Sequence, residues 1–206
     1  FGAHRIEGIG DKHIPWIHNV RNTDMIAAID DEAVMQVMRL FNEPEGLNLL
    51  AESGVNASVL GQLSLPGISC ICNLLAAIKA AKYYDLTSDD VLFMPMTDSM
   101  DLYASRVEEM NAAEGPFTAK NALAVKSRYL DGASIDYLRE LNYSDRKALH
   151  NFKYFTWVEQ QGKTTEELRR LWDEDFWADI FSPAQVQNWD RRIAAFNDAT
   201  GVLKSL

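Results

Sequence analysis

The chain has 206 residues, 47% of them hydrophobic, enough to bury a real core as one ordinary domain or two small ones. Thirty acidic residues against 20 basic ones give a formal net charge of -10, which argues against a nucleic-acid backbone or an anionic membrane surface as partner. No apolar run reaches the roughly 18 to 20 residues that cross a bilayer, and the first residues lack a signal-peptide pattern, so a soluble cytoplasmic protein is expected.

The opening segment carries Gly8, Gly10 and Pro15 and reads as a loop. Residues 25–29 form a short apolar run that reads as a strand. Val34, Val37, Met38 and Phe41 then recur at helical spacing behind Asp30 and Asp31, one of which should cap the helix. Pro44 and Gly46 are expected to end that helix, and residues 47–65 could hold one helix and a short strand. Over 69–84, Ile71, Leu74, Leu75, Ile78 and Ala81 make an apolar stripe of period near 3.6, predicting a helix packed against a sheet. Cys70 and Cys72 lie on it. Two cysteines cannot form a disulfide framework, and without a second Cys or His pair a packing role outweighs a metal site.

Residues 91–96, Val-Leu-Phe-Met-Pro-Met, are a continuous apolar run of strand length and predict a buried parallel strand. Thr97, Asp98 and Ser99 would then stand at its carboxyl end, where open α/β sheets place their ligands. After Met110 the composition turns helical. Thr164 with Glu167 is a capping box, and Ser182 before Pro183 marks a second helix start. Trp157, Trp172, Trp177 and Trp189 with Phe152, Phe155, Phe176 and Phe181 fall at helical spacings and suggest packing rather than a ligand cage. His4, His13, His18 and His150 form neither a triad nor a metal motif and read as surface or interface residues.

Several ordered landmarks carry a resemblance. His4-Arg5-Ile6-Glu7-Gly8-Ile9-Gly10 with Ile14-Pro15, Asp30-Asp31-Glu32-Ala33, Glu45-Gly46, Gly67-Ile68-Ser69, and Asp98-Ser99 with Tyr103 and Ser105 resemble, in order, landmarks of the fold type II pyridoxal-phosphate enzymes, the cysteine synthase and cystathionine β-synthase family. Cys70-Ile71 departs from that family's Ser-Gly, and the spacing between Gly46 and Gly67 is longer than usual. The resemblance implies an α/β fold. Residues 1–110 would be part of a parallel-sheet domain (tryptophan synthase β-like), and 111–206 a helical extension.

It also implies pyridoxal 5'-phosphate as cofactor, with Ser69 on the pyridine nitrogen, Gly8 and Gly10 letting the backbone approach the ring, and Asp98 supporting the pocket. No residue of this chain is assigned to catalysis. Lys12, Lys79 and Lys82 lack the family's Ser-x-Lys-x-Arg setting, and no Gly-Thr-Gly-Gly-Thr phosphate cup is present. The implied function is therefore the C-terminal portion of a lyase or β-replacement transferase acting on an amino acid, inactive without an upstream half or companion subunit, and expected as a homodimer. The alternative is a non-catalytic interaction module with a vestigial cofactor pocket. With only two strands expected, the chain should expose a strand edge to its partner.

Overall fold

The computed structural model describes residues 3–10 and 13–204, where helix accounts for 60% and strand for 3%. Two compact units alternate along the chain. The first comprises the described residues up to Gly10 and Met25–Glu140; the second comprises His13–Asp24 and the chain from Leu141 onward.

Unit 1 is built around α1 (Asp31–Asn42). The Asp30 carboxylate caps it, accepting the Glu32 N–H at 3.0 Å, and Asp31 and Glu32 add negative charge at the positive end of the helix dipole. Arg5 clasps both acids. Its backbone N–H and its guanidinium Nε donate to Asp31 at 2.9 and 3.2 Å, and its other arm reaches Glu32. Val34, Val37, Met38, Leu40 and Phe41 are buried on α1. Around them are arranged α2 (Pro44–Glu52), α3 (Ala57–Leu60), α4 (Ile68–Tyr83), α5 (Ala104–Glu114) and α6 (Ala119–Val125), with α2, α4 and α6 packing directly on α1. A single turn of π-helix, Lys126–Asp131, follows α6.

The expected helix end is in place, since α1 stops at Asn42 and Glu43 is extended ahead of Pro44. Pro44 opens α2 in its first turn, where its missing N–H leaves no partner unsatisfied, and Gly46 lies inside α2. A Cβ on Gly46 would stand 2.1 Å from the Leu40 carbonyl oxygen, so only glycine lets α2 fold back this closely. Arg39, 2% exposed, ties α1 to α5: its guanidinium donates to Glu43 at 2.6 Å, Asn111 at 2.6 Å, the Gly115 carbonyl at 2.9 Å and Glu114 at 3.2 Å.

The fold type II expectation fails on the sheet. Among the described residues, strand is confined to β1 (Met25–Ala27) and β2 (Leu138–Glu140), an antiparallel pair with Ile26 opposite Arg139. The strand expected at the start of the chain exists, but its neighbour is antiparallel. The predicted buried strand at 91–96 is not in a sheet, because no described strand lies alongside to accept its hydrogen bonds. The helix expected to cover a sheet, α4, packs chiefly on α1. The fold class is mainly helical, and the parallel-sheet domain of the cysteine synthase family is not present.

Unit 2 contains α7 (Tyr143–Lys153), α8 (Thr165–Arg170), α9 (Glu174–Ile180) and α10 (Pro183–Thr200). Thr164 and Glu167 form the expected capping box, with Thr164 Oγ1 accepting the Glu167 N–H at 3.1 Å and Glu167 accepting the Thr164 N–H at 2.8 Å. Ser182 caps α10 through the Gln185 N–H at 3.2 Å. The 13–24 segment is held by polar anchors from the helices. Lys153, fully buried, donates to the carbonyls of Trp16 at 2.9 Å and His18 at 2.6 Å, and Trp157 donates to Ile14 at 2.8 Å. His150, read as a surface or interface residue, is buried against the Trp172 ring. The expected aromatic packing holds for Trp157 and Trp172, whereas Phe152, Phe155 and Phe181 are exposed.

Candidate functional site

The N-terminus of α4 and the segment after residue 96 meet in a cluster of polar side chains within unit 1. Gly67 is the N-cap of α4, and its backbone N–H donates to the Asp98 carbonyl at 3.1 Å. A Cβ at Gly67 would fall 2.5 Å from Asp98 Oδ1, so the absent side chain makes room for the carboxylate. Ser69, buried in the first turn, sits 2.9 Å from the Thr97 hydroxyl and donates to Asp98 at 3.2 Å. The Cys70 thiol donates to the same carboxylate at 3.2 Å and accepts the Thr97 N–H at 3.2 Å, while the Tyr103 hydroxyl donates to the other carboxylate oxygen.

These bonds set the chemistry of the cluster. Burial pushes the Asp98 carboxyl upward, but donation from Tyr103, Cys70, Ser69 and Thr97 outweighs it and holds the group below its ordinary range. The bond to Asp98 raises the Tyr103 hydroxyl to about 12. Asp98 is thus a saturated, ionised acceptor and a poor proton carrier near neutral pH. Cys72, on the same helix, is buried, and burial raises its thiol. The cluster acts as a clasp, fastening Thr97 and Asp98 to the start of α4.

Of the four residues expected to hold pyridoxal phosphate, Ser69 and Asp98 are brought together, but the Ser69 hydroxyl is taken up by Thr97 and Asp98. Gly8 and Gly10 both adopt left-handed conformations, with φ of 86° and 84°, which accounts for glycine at each. Gly10 lines a different cavity, with His4, Ile6, Ile9 and Cys72. The pyridoxal-phosphate reading rested on a parallel sheet carrying these residues to one edge, and the helical fold removes that support. The lyase or transferase assignment, its enzyme half and its vestigial pocket fall with it. Among the described residues, no three His, Cys, Asp or Glu side chains gather as metal ligands. Lys12 lies outside the described residues.

The clasp matters for what precedes it. Residues 91–96 lie outside helix, strand and turn, and among the described residues none of their backbone groups is hydrogen-bonded. Val91 and Phe93 are 90% and 93% exposed, whereas Leu92 is 49% exposed and Met94 partly buried. Met96 is 55% exposed, so most of this apolar run faces solvent. A local turn precedes the segment and the clasp follows it. Upstream, the Asp90 carboxylate accepts the Thr87 N–H at 2.8 Å and hydroxyl at 3.2 Å, and the Asp90 N–H donates to the Thr87 carbonyl at 3.1 Å. Downstream lies the Asp98 clasp.

Sequence reasoning singled out Ser69 and Asp98 but missed Cys70 as a hydrogen-bonding member and the free state of 91–96. No spacing signal exposes the latter, since an apolar run looks the same whether its neighbour is present or not. No protein-family model, no curated protein and no solved structure matches this chain.

Proposed function

We propose that the protein is a polypeptide-binding module that adds residues 91–96 to the strand edge of a partner protein. The observation that supports this is an apolar segment of strand length, lying between the Thr87–Asp90 turn and the Asp98 clasp, whose backbone groups make no hydrogen bond among the described residues. Such a segment is a template for main-chain pairing, and fastening its downstream end in advance lowers the ordering cost of binding. Pro95 lacks an N–H, which suits pairing along one edge only.

Charge selects the partner. Asp89 and Asp90 stand before the segment and Asp98 after it, in a chain of net charge -10. Two copies paired antiparallel would bring these acids together, so a second copy is disfavoured and a strand flanked by Lys or Arg is favoured. The exposed stripe of α10, Val186, Trp189, Ile193 and Phe196, is less demanding: its backbone is already satisfied within the helix.

A lysine-flanked Val-Thr-Val-Thr-Val-Thr peptide is the probe. Titrated into the full chain, it should slow amide hydrogen exchange at residues 91–94 and 96. Phe93→Pro, or Asp89→Lys with Asp90→Lys, should abolish that protection. Unchanged exchange at saturating peptide overturns the reading. So does concentration-dependent self-association that protects the same amides without peptide, which assigns the segment to a second copy.

A further inference from the structure

A second opening in unit 1 lies away from the clasp, between β1, α4 and the π-helical turn Lys126–Asp131. It has a volume of about 360 Å³, in the range of small-molecule sites, and is lined mainly by apolar surface. Ile29, Ala33 and Leu75 line its apolar part, and Tyr129 and Tyr137 contribute rings. Two local irregularities shape it. The π-helical turn carries Arg128 and Tyr129 on its wall, and Tyr137 is held at φ 60°, a left-handed conformation unusual for an aromatic residue.

The charges in this opening are not balanced within the protein. Lys79 and Arg128 both line it, and neither lies within ion-pair distance of a carboxylate among the described residues. Lys79 gives two of its three N–H groups to the carbonyls of Ala28 at 3.1 Å and Asp136 at 2.8 Å, and its ammonium lies 5.9 Å from the centre of the Tyr137 ring. One donor is left. Among the described residues the Arg128 guanidinium makes no hydrogen bond; it lies 5.1 Å from the Tyr129 ring centre, its planar fork unused. Asp30, the single acid on the lining, is occupied as the cap of α1. Two cations against one carboxylate leave one positive charge in a cavity of a strongly acidic protein.

We infer that this cavity, formed by Leu75, Lys79, Arg128, Tyr129 and Tyr137, binds a small aromatic monocarboxylate. The carboxylate takes the fork of Arg128 and the remaining N–H of Lys79, and the ring lies against the tyrosines and the apolar lining. A monoanion matches the single uncompensated charge, whereas a phosphate dianion would carry one charge too many next to Asp30. The site is independent of the strand-pairing surface.

The test is calorimetric titration of the full chain with 2-naphthoate, neutral 2-naphthamide and 2-naphthyl phosphate. 2-Naphthoate should bind at least tenfold more tightly than the other two. Arg128→Gln, at an exposed residue with no internal hydrogen bond, should weaken 2-naphthoate tenfold or more and leave 2-naphthamide unchanged. Ala133→Leu, which fills the opening, should weaken both. Equal binding of acid and amide, tighter binding of the phosphate, an Arg128→Gln chain that binds as before, or no binding of 2-naphthoate at millimolar concentration each overturns the inference. Because the acid-amide comparison uses the unmodified chain, it does not depend on any variant folding.

Discussion

In unit 1, α1 is buried along most of its length, and its Val34, Val37, Met38 and Leu40 belong to one continuous apolar cluster shared with α2, α4 and α6. Unit 2 buries far less: Val20, Leu141, Leu168 and Leu171, beside the polar side chains of His150 and Lys153. The first is therefore held mainly by apolar burial and close backbone packing, the second by directed hydrogen bonds from Lys153, Trp157 and Arg146 to the 13–24 segment. Apolar packing is insensitive to pH and intolerant of added volume; polar anchoring has the opposite sensitivities. Because Trp16, Trp157, Trp172, Trp177 and Trp189 all belong to unit 2, tryptophan fluorescence reports on that unit alone.

The strongest way to break the contrast is Gly46→Ala. The new Cβ would fall on the Leu40 carbonyl, so α2 must move off α1, with an expected loss of about 3 kcal/mol or more. Methyl NMR signals of Val34, Val37 and Leu40 under urea should show it. Arg39→Ala comes next. Removing the guanidinium strands Glu43, Asn111 and the Gly115 carbonyl, for an expected loss of about 3 kcal/mol. Arg39→Met, which keeps most of the volume, should lose less in the same measurement, because it retains packing over Phe117.

The pH dependence separates the units at a smaller scale. Burial, then Lys147 and Lys153, lowers His150 to about 4, so the folded unit prefers the neutral ring more than the unfolded chain does. Stability of unit 2 should therefore fall as pH drops from about 6.5 to about 4, by about 1 to 3 kcal/mol in all. Lys153, lowered to about 8 by burial, has the same sign in another window: stability rises from pH 8 to about 10.5. Asp31, Glu32 and Asp98 of unit 1 are held below their ordinary values, so their contribution is full above the usual carboxylate range and is lost as the pH falls through that range to the lowered values. Tryptophan fluorescence should thus report acid loosening before the unit 1 methyl signals shift, and His150→Gln should flatten the first transition. The smallest effect is expected at Ile193→Ala on the exposed face of α10, within about 0.5 kcal/mol by thermal melting followed by fluorescence.

Much of the helical content was legible locally. The Thr164–Glu167 box, the Ser182–Pro183 start and the Asp30 cap involve groups two or three residues apart, and each is found in place. Gly8 and Gly10 were legible as turn residues, but the same glycines also resembled a cofactor turn. Ser69 and Asp98 were legible as polar residues at element ends; the bond between them, 29 positions apart, was not. Lys79, Arg128 and Tyr137 gave no signal, because nothing in their spacing announces a shared cavity or a π-helical turn.

The sequence alone determined where α1, α8 and α10 begin and which of their residues are apolar, since capping and amphipathic spacing depend on neighbours one turn away. Tertiary structure decided the rest. It made β1 and β2 an antiparallel pair, placed Gly46 under the Leu40 carbonyl, and left residues 91–96 without a strand beside them among the described residues. The physical reason lies in the range of the forces: a helix satisfies its own backbone, whereas a strand is completed only by another segment, and its sequence does not say whether that segment belongs to the same chain.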